Sequence, residues 1–328
     1  MSELTLLDYQ VLSRVITKFP IPTYFKLISN LFPLNNIDGD SAKWDVVKNG
    51  RDLGKFKAPG APAIPVANLG VSQTTSQFAS IAYEKVLGAS DLIWNRAPGT
   101  VDTPYLEQKI ARETADLNRL IDMKMEYCAA QALTGTLTVN QSDVKFSVDF
   151  GIDGTHKVTA SPLWSDLSTS DPLTDLDTWK QLIAADSGEN ATQLWMNSKT
   201  LWAYFLRHSA VRELLRAQYG RELVAGLAPK EISELEIVTY DAGYVESGTF
   251  TKYIPDGKVI MIAKTPDFGE TQVGSDLIPD GDNNLRKVIG KYAYSYISKN
   301  PAKQMLIAGA NFLPVINKVE NIVYATVA

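Results

Sequence analysis

The sequence predicts an α+β fold in which helices and mostly antiparallel strands intermix, on three observations. A stretch of about thirty residues repeats its apolar positions at helical spacing. Directly after it, apolar and polar residues alternate at period two around a turn signal. The second half then interleaves short apolar runs with short amphipathic ones. At 328 residues, with 45% hydrophobic and 21% charged, the composition is that of a globular protein. Collagen-like, coiled-coil and disordered classes are excluded. A compact fold of this mass buries roughly three quarters of its unfolded surface, enough for a sizeable core.

The first 38 residues place Leu4, Leu7, Val11, Leu12, Val15 and Ile16 at amphipathic-helix spacing. Pro20 and Pro22 break that helix, because a residue before proline is barred from helical geometry. Tyr24 to Phe32 is a second apolar patch, so the segment reads as an arm with two sticky patches or as a helix folded on its own core. From Gly39 the chain changes character. Asn49-Gly50 signals a turn, and Pro59 to Pro65 carries too many prolines for a central strand. Between Ala42 and Pro65 the basic residues Lys43, Lys48, Arg51, Lys55 and Lys57 face only Asp45 and Asp52, on a chain of net charge −5. Such a basic, Pro/Gly-rich excursion is either a solvated loop or an extended two-stranded arm that packs on another chain.

The long helix is expected from about Asp102 to Leu133. Asp102 or Thr103 caps it, Pro104 sits near its first position, and Gly135 follows its end. Leu106, Ile110, Leu117, Ile121, Met125, Cys128 and Ala132 form its apolar stripe. The hairpin follows, with Leu137 and Val139 against Val144 to Phe150 around residues 140–143. Asp175 is read as the N-cap of a short helix holding Trp179, Leu182 and Ile183. Further expectations are helices at Lys199–Arg207 and Ala210–Gln218. Strands are expected at Gln193–Met196, Glu236–Tyr240, Lys258–Ala263, Val288–Ile297, Met305–Ile307 and Asn321–Val327.

No chemistry stands out. His156 and His208 are far apart and lack metal-ligand spacing; the first reads as a turn residue, the second as a helix-end residue. There is no G-x-S-x-G elbow, P-loop or dinucleotide fingerprint. Asp276 to Asn284 is acidic and Gly-containing but lacks the ligand spacing of a calcium loop, and reads as a solvated loop. One cysteine, Cys128, excludes an intrachain disulfide and falls on the apolar stripe, where burial is expected. The acidic balance argues against a dedicated nucleic-acid binder. The first residues lack a signal-peptide pattern, and no run approaches 18 apolar residues, so a cytoplasmic origin without membrane insertion is expected. Neither catalysis nor any metal or cofactor is expected.

Several local motifs, in order, resemble the major capsid proteins of tailed bacteriophages, in particular the lambda-like capsid protein E family. They are Gly50-Arg51-Asp52-Leu53-Gly54-Lys55-Phe56, Arg112-Glu113, and Met125-Glu126-Tyr127-Cys128 to Gly135 followed by Asp149-Phe150-Gly151. Trp164-Ser165-Asp166 and Asp171-Pro172-Leu173-Thr174-Asp175-Leu176-Asp177-Thr178-Trp179 complete the series. The resemblance implies the Hong Kong 97 capsid fold. It implies an N-terminal arm at 1–41, an extended E-loop at 42–85, and a P-domain with spine helix and hairpin at 86–165. An A-domain at 166–295 and a return to the P-domain at 296–328 follow. The implied function is a structural shell protein that self-assembles through hexamers and pentamers into an icosahedral head around double-stranded DNA. Partners would include a portal, a scaffold or protease and a decoration protein, with the packaged DNA contacted non-specifically. The E-loop cations Lys43, Lys48, Arg51, Lys55 and Lys57 would meet a neighbouring subunit, and the protein would reside in the virion after assembly in the host cytoplasm. Two alternatives stand beside this: an encapsulin-type compartment for protein cargo, and a soluble enzyme or ligand-binding module with an unrecognised site.

Overall fold

A computed structural model describes residues 9–47, 71–87, 103–141, 144–219, 230–280, 284–299 and 302–328. Along the chain run α1 (Tyr9–Lys18), α2 (Lys26–Asn30), β1 (Leu34–Asn36), β2 (Ser41–Val47), β3 (Val71–Gln77) and β4 (Ala79–Leu87). Then come α3 (Thr103–Ala132), β5 (Thr136–Gln141), β6 (Val144–Asp149), β7 (Lys157–Thr159), α4 (Pro172–Asp186) and β8 (Gln193–Met196). After a π-helical turn at Thr200–Phe205 follow α5 (Ser209–Tyr219), β9 (Glu231–Ile232), β10 (Leu235–Thr239), β11 (Gly243–Glu246) and β12 (Thr249–Lys252). The chain ends with β13 (Lys258–Ile262), β14 (Gly269–Val273), β15 (Ser275–Asp280), β16 (Asn284–Ile289), β17 (Tyr292–Lys299), β18 (Ala302–Ile316) and β19 (Ile322–Thr326). Among the described residues no helix is long and apolar enough to cross a membrane.

The chain divides into two compact units, one of Met1–Lys43, Thr75–Ala129 and Glu270–Val315, the other of Trp44–Thr74, Ala130–Gly269 and Ile316–Ala328. In the first unit, β18 is the central strand: it pairs antiparallel with β17 through Ala302–Gly309 and with β4 through Gln304–Phe312. The sheet continues through β14 to β1, which lies parallel to β14 with Leu34 opposite Thr271. The long helix α3 forms where the apolar spacing places it, and Ile110, Leu117, Ile121, Met125 and Cys128 are all buried. It ends where Gly135 takes φ +91°, a left-handed conformation that glycine adopts without steric cost.

The second unit is built on a six-stranded sheet of order β7-β19-β13-β8-β10-β9. Strand β8 is buried at every residue, and its run Leu194-Trp195-Met196 matches a strand covered on both faces. Its core packs Trp164 against Trp179 in a stack at 5.7 Å and against Phe205 at 5.3 Å, with Leu194, Met196, Met261 and Val323 around them. The predicted hairpin forms as β5 and β6, with Leu137 paired to Val148.

Several expectations are corrected. Helix α4 starts at Pro172 with Asp171 as its N-cap, not at Asp175: Asp171 accepts from the Leu173 and Thr174 N–H groups, and proline occupies the first turn. Asp175 in the first turn instead accepts from Trp164 Nε1 at 2.8 Å. Of the stretch Asp276 to Asn284, read as a loop, residues 276–280 lie on strand β15 and Asn284 opens strand β16, paired from Ser275–Ile289 to Asp280–Asn284, while 281–283 lie outside the described residues. The strand expected at Val288–Ile297 is two strands, broken where Gly290 sits at φ +91°. The strand expected at Met305–Ile307 extends across all of β18, whose small residues Ala308 and Gly309 fit between β17 on one side and β4 on the other.

Candidate functional site

Of the five cations of the basic excursion, Lys43 lies on β2, and Lys48, Arg51, Lys55 and Lys57 lie outside the described residues. The Lys43 side chain is exposed, while its backbone is clamped by one side chain. Its N–H donates to Gln272 Oε1 at 3.1 Å, and Gln272 Nε2 donates to its carbonyl at 2.8 Å. Strands β2 and β3 form a two-stranded sheet of their own.

The N-terminal segment is seated on α3 by groups that sequence periodicity does not reveal. Thr114, Asn118, Asp122 and Glu126 recur every four residues, and all four are buried. At that spacing they stack on one helix face, adjoining the apolar stripe. Glu126 accepts from the Leu27 N–H through Oε1 and from the Ile28 N–H through Oε2, each at 2.8 Å. Those amides open the short helix α2, whose N-cap residue is Phe25, with no side chain able to cap. A carboxylate 98 and 99 residues away therefore supplies the cap. One turn earlier, Asp122 forms a buried ion pair with Lys291, and Lys291 Nζ also donates to Asn118 Oδ1 at 3.2 Å. Burial pushes the Asp122 carboxyl upward, against the pull of Lys291 and Asn118. Helix α1 is tied down in the same unit: Ser13 Oγ donates to the Ala293 carbonyl at 2.9 Å.

In the second unit, β11 and β12 form a tight hairpin through Ser247 and Gly248, both at positive φ. Such geometry matches the twist of paired strands. Val245 faces Phe250 across it, and both are largely exposed.

The groups that might have carried chemistry are engaged structurally. His156 closes the single 3-10 turn Gly154–His156, as its sequence context suggests, and is buried there, with Nδ1 donating to the Ile322 carbonyl at 2.7 Å and Nε2 2.9 Å from Asp186 Oδ2. His208 precedes α5 and is buried, its Nε2 3.0 Å from the Trp164 carbonyl. Cys128 is buried as expected, and desolvation pushes its thiol up to about 12, far from a nucleophile's range. Among the described residues no group of three or more His, Cys, Asp or Glu is arranged to hold a metal ion.

The model of a family described as phage major capsid protein E matches residues 8–327. No curated protein matches the sequence. Among solved structures, a protein assigned as the capsid protein of an Escherichia coli CFT073 prophage superposes with a TM-score of 0.62 at 15% identity, over 96% of this chain and 95% of that one. A phage-related protein from Bordetella bronchiseptica RB50 reaches 0.59 at 17% identity, covering 98% and 97%. The capsid of cyanophage P-SCSP1u reaches 0.55 at 11% identity, covering 92% and 88%. At such identities the likeness is one of fold, and the α+β architecture is of the Hong Kong 97 type that the resemblance implied. Since the family match runs over almost every residue, the chain belongs to the phage major capsid protein E family and has a structural role in a phage capsid.

Proposed function

We propose that copies of this chain assemble as hexamers and pentamers into an icosahedral head that encloses double-stranded DNA. The family match over residues 8–327 carries this reading. The role requires no catalysis and no cofactor. Within it, residues 1–41 act as the arm, 42–85 as the E-loop, 86–165 with 296–328 as the P-domain, and 166–295 as the A-domain. The basic positions Lys43, Lys48, Arg51, Lys55 and Lys57 contact acidic surface of a neighbouring subunit. Each exposed ion pair contributes only about 0.2 to 1 kcal/mol, but a shell repeats it in every subunit. Assembly takes place in the host cytoplasm, with a portal, a scaffold or protease and a decoration protein as further partners. DNA is contacted without sequence preference. The encapsulin alternative shares the fold and differs in contents.

Negative-stain microscopy of the purified chain tests the shell. Closed particles, or hexamers and pentamers, are expected at native concentrations. A monomer of 36.1 kDa across a wide range of concentration and salt, without particles, would overturn it. Nuclease-protected DNA in particles from infected cells separates a head from a cargo compartment, which would hold protein instead.

A further inference from the structure

We propose that the outer face of the β15–β16 hairpin is a contact surface for a second copy of this chain. The inference rests on the shell reading above and names one surface through which it is realised.

Residues directly opposed in an antiparallel pair share a face, and so do alternate residues along each strand. The register pairs Ser275 with Ile289, Leu277 with Lys287 and Pro279 with Leu285, which puts all six on one face. The other face carries Ile278, which is 1% exposed, and the half-buried Val288. The first face is uncovered: Leu277 is 61% exposed, Leu285 69% and Ile289 45%, and Pro279 is exposed beside them. The outer face is thus the more apolar of the two, with Leu277, Pro279, Leu285 and Ile289 among its six residues, and the subunit leaves these four side chains open.

The hairpin is set on a fixed root. Ser275 N–H donates to the Gly39 carbonyl at 2.9 Å, Asn311 Nδ2 to the Ser275 carbonyl at 3.0 Å, and Gly290 N–H to the Gly274 carbonyl at 3.0 Å. Lys287, the one cation on the outer face, is ion-paired to Asp38. The face is therefore preorganised, and its charge is already neutralised within the unit.

The edges argue for docking through the face rather than by strand addition. Pro279 has no N–H to offer along β15, and Arg286 with Lys287 places two cations on β16, both devices that oppose edge pairing. Size then selects the occupant. Four apolar side chains offer a few hundred Å², against about 800 Å² per partner in a stable two-body interface. Alone the patch is too small to hold a separate protein. It suits one element of a larger repeated contact, in which every copy meets other copies and small terms recur around the shell.

Leu277→Asp with Leu285→Asp tests this on the full chain. Both side chains are exposed, so the subunit should keep its circular-dichroism spectrum and melting temperature. Particle yield should fall about tenfold or more, as for loss of a hot-spot pair. Parental yield from the double variant would overturn the proposal. A second variant, Leu285→Cys, guards against a folding defect in the first. The native thiol is buried, so maleimide reports the introduced one. Labelling should be slow in particles of the purified chain and fast in free subunits, and equal rates in the two would overturn the proposal. Protection only in heads that contain other proteins would likewise overturn it, in favour of a different partner. If the parent itself forms no particles, the shell reading fails first, and that failure is visible without either variant.

Discussion

The two units solve the problem of a core by different means. The second stacks Trp164, Trp179 and Phe205 over a sheet whose central strand β8 is buried throughout, with buried polar groups such as Asn197 and Asn321 bonded to backbone around it. The first gathers strands from three distant stretches of the chain, 34–36, 79–87 and 269–316, and carries on α3 a file of buried polar groups that holds α2 and Lys291. Apolar packing is tolerant of partner and direction, whereas a buried carboxylate accepts only donors at the right place. We read the polar ladder of the first unit as the device that gives the N-terminal segment one seat instead of several.

The largest effect expected from breaking this contrast is at Lys291. Lys291→Met leaves Asp122 buried without its ion-pair partner, and should cost about 3–5 kcal/mol at neutral pH in urea unfolding of the subunit. Leu194→Ala in the second unit should cost about 2–5 kcal/mol by leaving a cavity. The two deficits separate by pH. Without Lys291 the Asp122 carboxyl rises further above its unfolded value, so the penalty belongs to the ionised form. It should shrink as pH falls toward the unfolded carboxylate range, while the Leu194→Ala deficit stays level over the same pH interval. A Lys291→Met deficit with no pH dependence would place the cost in packing.

The same contrast explains what the sequence made legible. Helix α3 and the β5–β6 hairpin were readable because each announces its period with large apolar residues, and Cys128 was correctly placed on the buried stripe. The polar ladder was invisible, because Asn118, Asp122 and Glu126 look like a wet helix face. Their partners Leu27, Ile28 and Lys291 lie 98 to 173 residues away. Strand β14, Gly-Glu-Thr-Gln-Val, carries one strong apolar residue and exists through its neighbours β1 and β18. The cap of α4 was misplaced by four residues because Asp171 and Asp175 are both followed by helix-compatible sequence, and only the fold shows which carboxylate meets free N–H groups. Of the basic site, sequence supplied five cations, and only Lys43 falls among the described residues.

A smaller effect is expected at Glu126. Glu126→Gln keeps the volume but turns one of its two acceptors into a donor, so one of the α2 amides loses its partner. A loss of about 1.5–3 kcal/mol follows, as for hydrogen bonds to charged groups. Hydrogen exchange should show it at Leu27 and Ile28 first, with the amides of β8 protected as before. If protection of α2 and β8 fell together, the arm's seat would be part of the whole subunit's cooperative core rather than a local device.

The smallest effect sits in the second unit, at the polar cap of α4. Asp171 accepts from Thr174 Oγ1 at 2.7 Å as well as from the two backbone N–H groups, and it is an exposed helix terminus. The Thr174 hydroxyl bond is the main reason its carboxyl lies below the ordinary value, despite some desolvation. A carboxyl whose folded value is depressed stabilises the fold above its unfolded value, near 3.9, and loses that contribution as pH falls through the folded value. Asp171→Ala should therefore cost about 1 kcal/mol at pH 7. The difference from the parent should narrow as pH drops below about 4, in the same pH direction as the Lys291→Met deficit but over a lower range, where Asp171 itself titrates. Asp171→Asn separates charge from geometry, since an amide oxygen still accepts from the Leu173 and Thr174 amides. Most of the stability should return in that variant, and its difference from Asp171→Ala should not depend on pH. Equal losses in both variants would mean that the charge itself, rather than the cap, sustains α4.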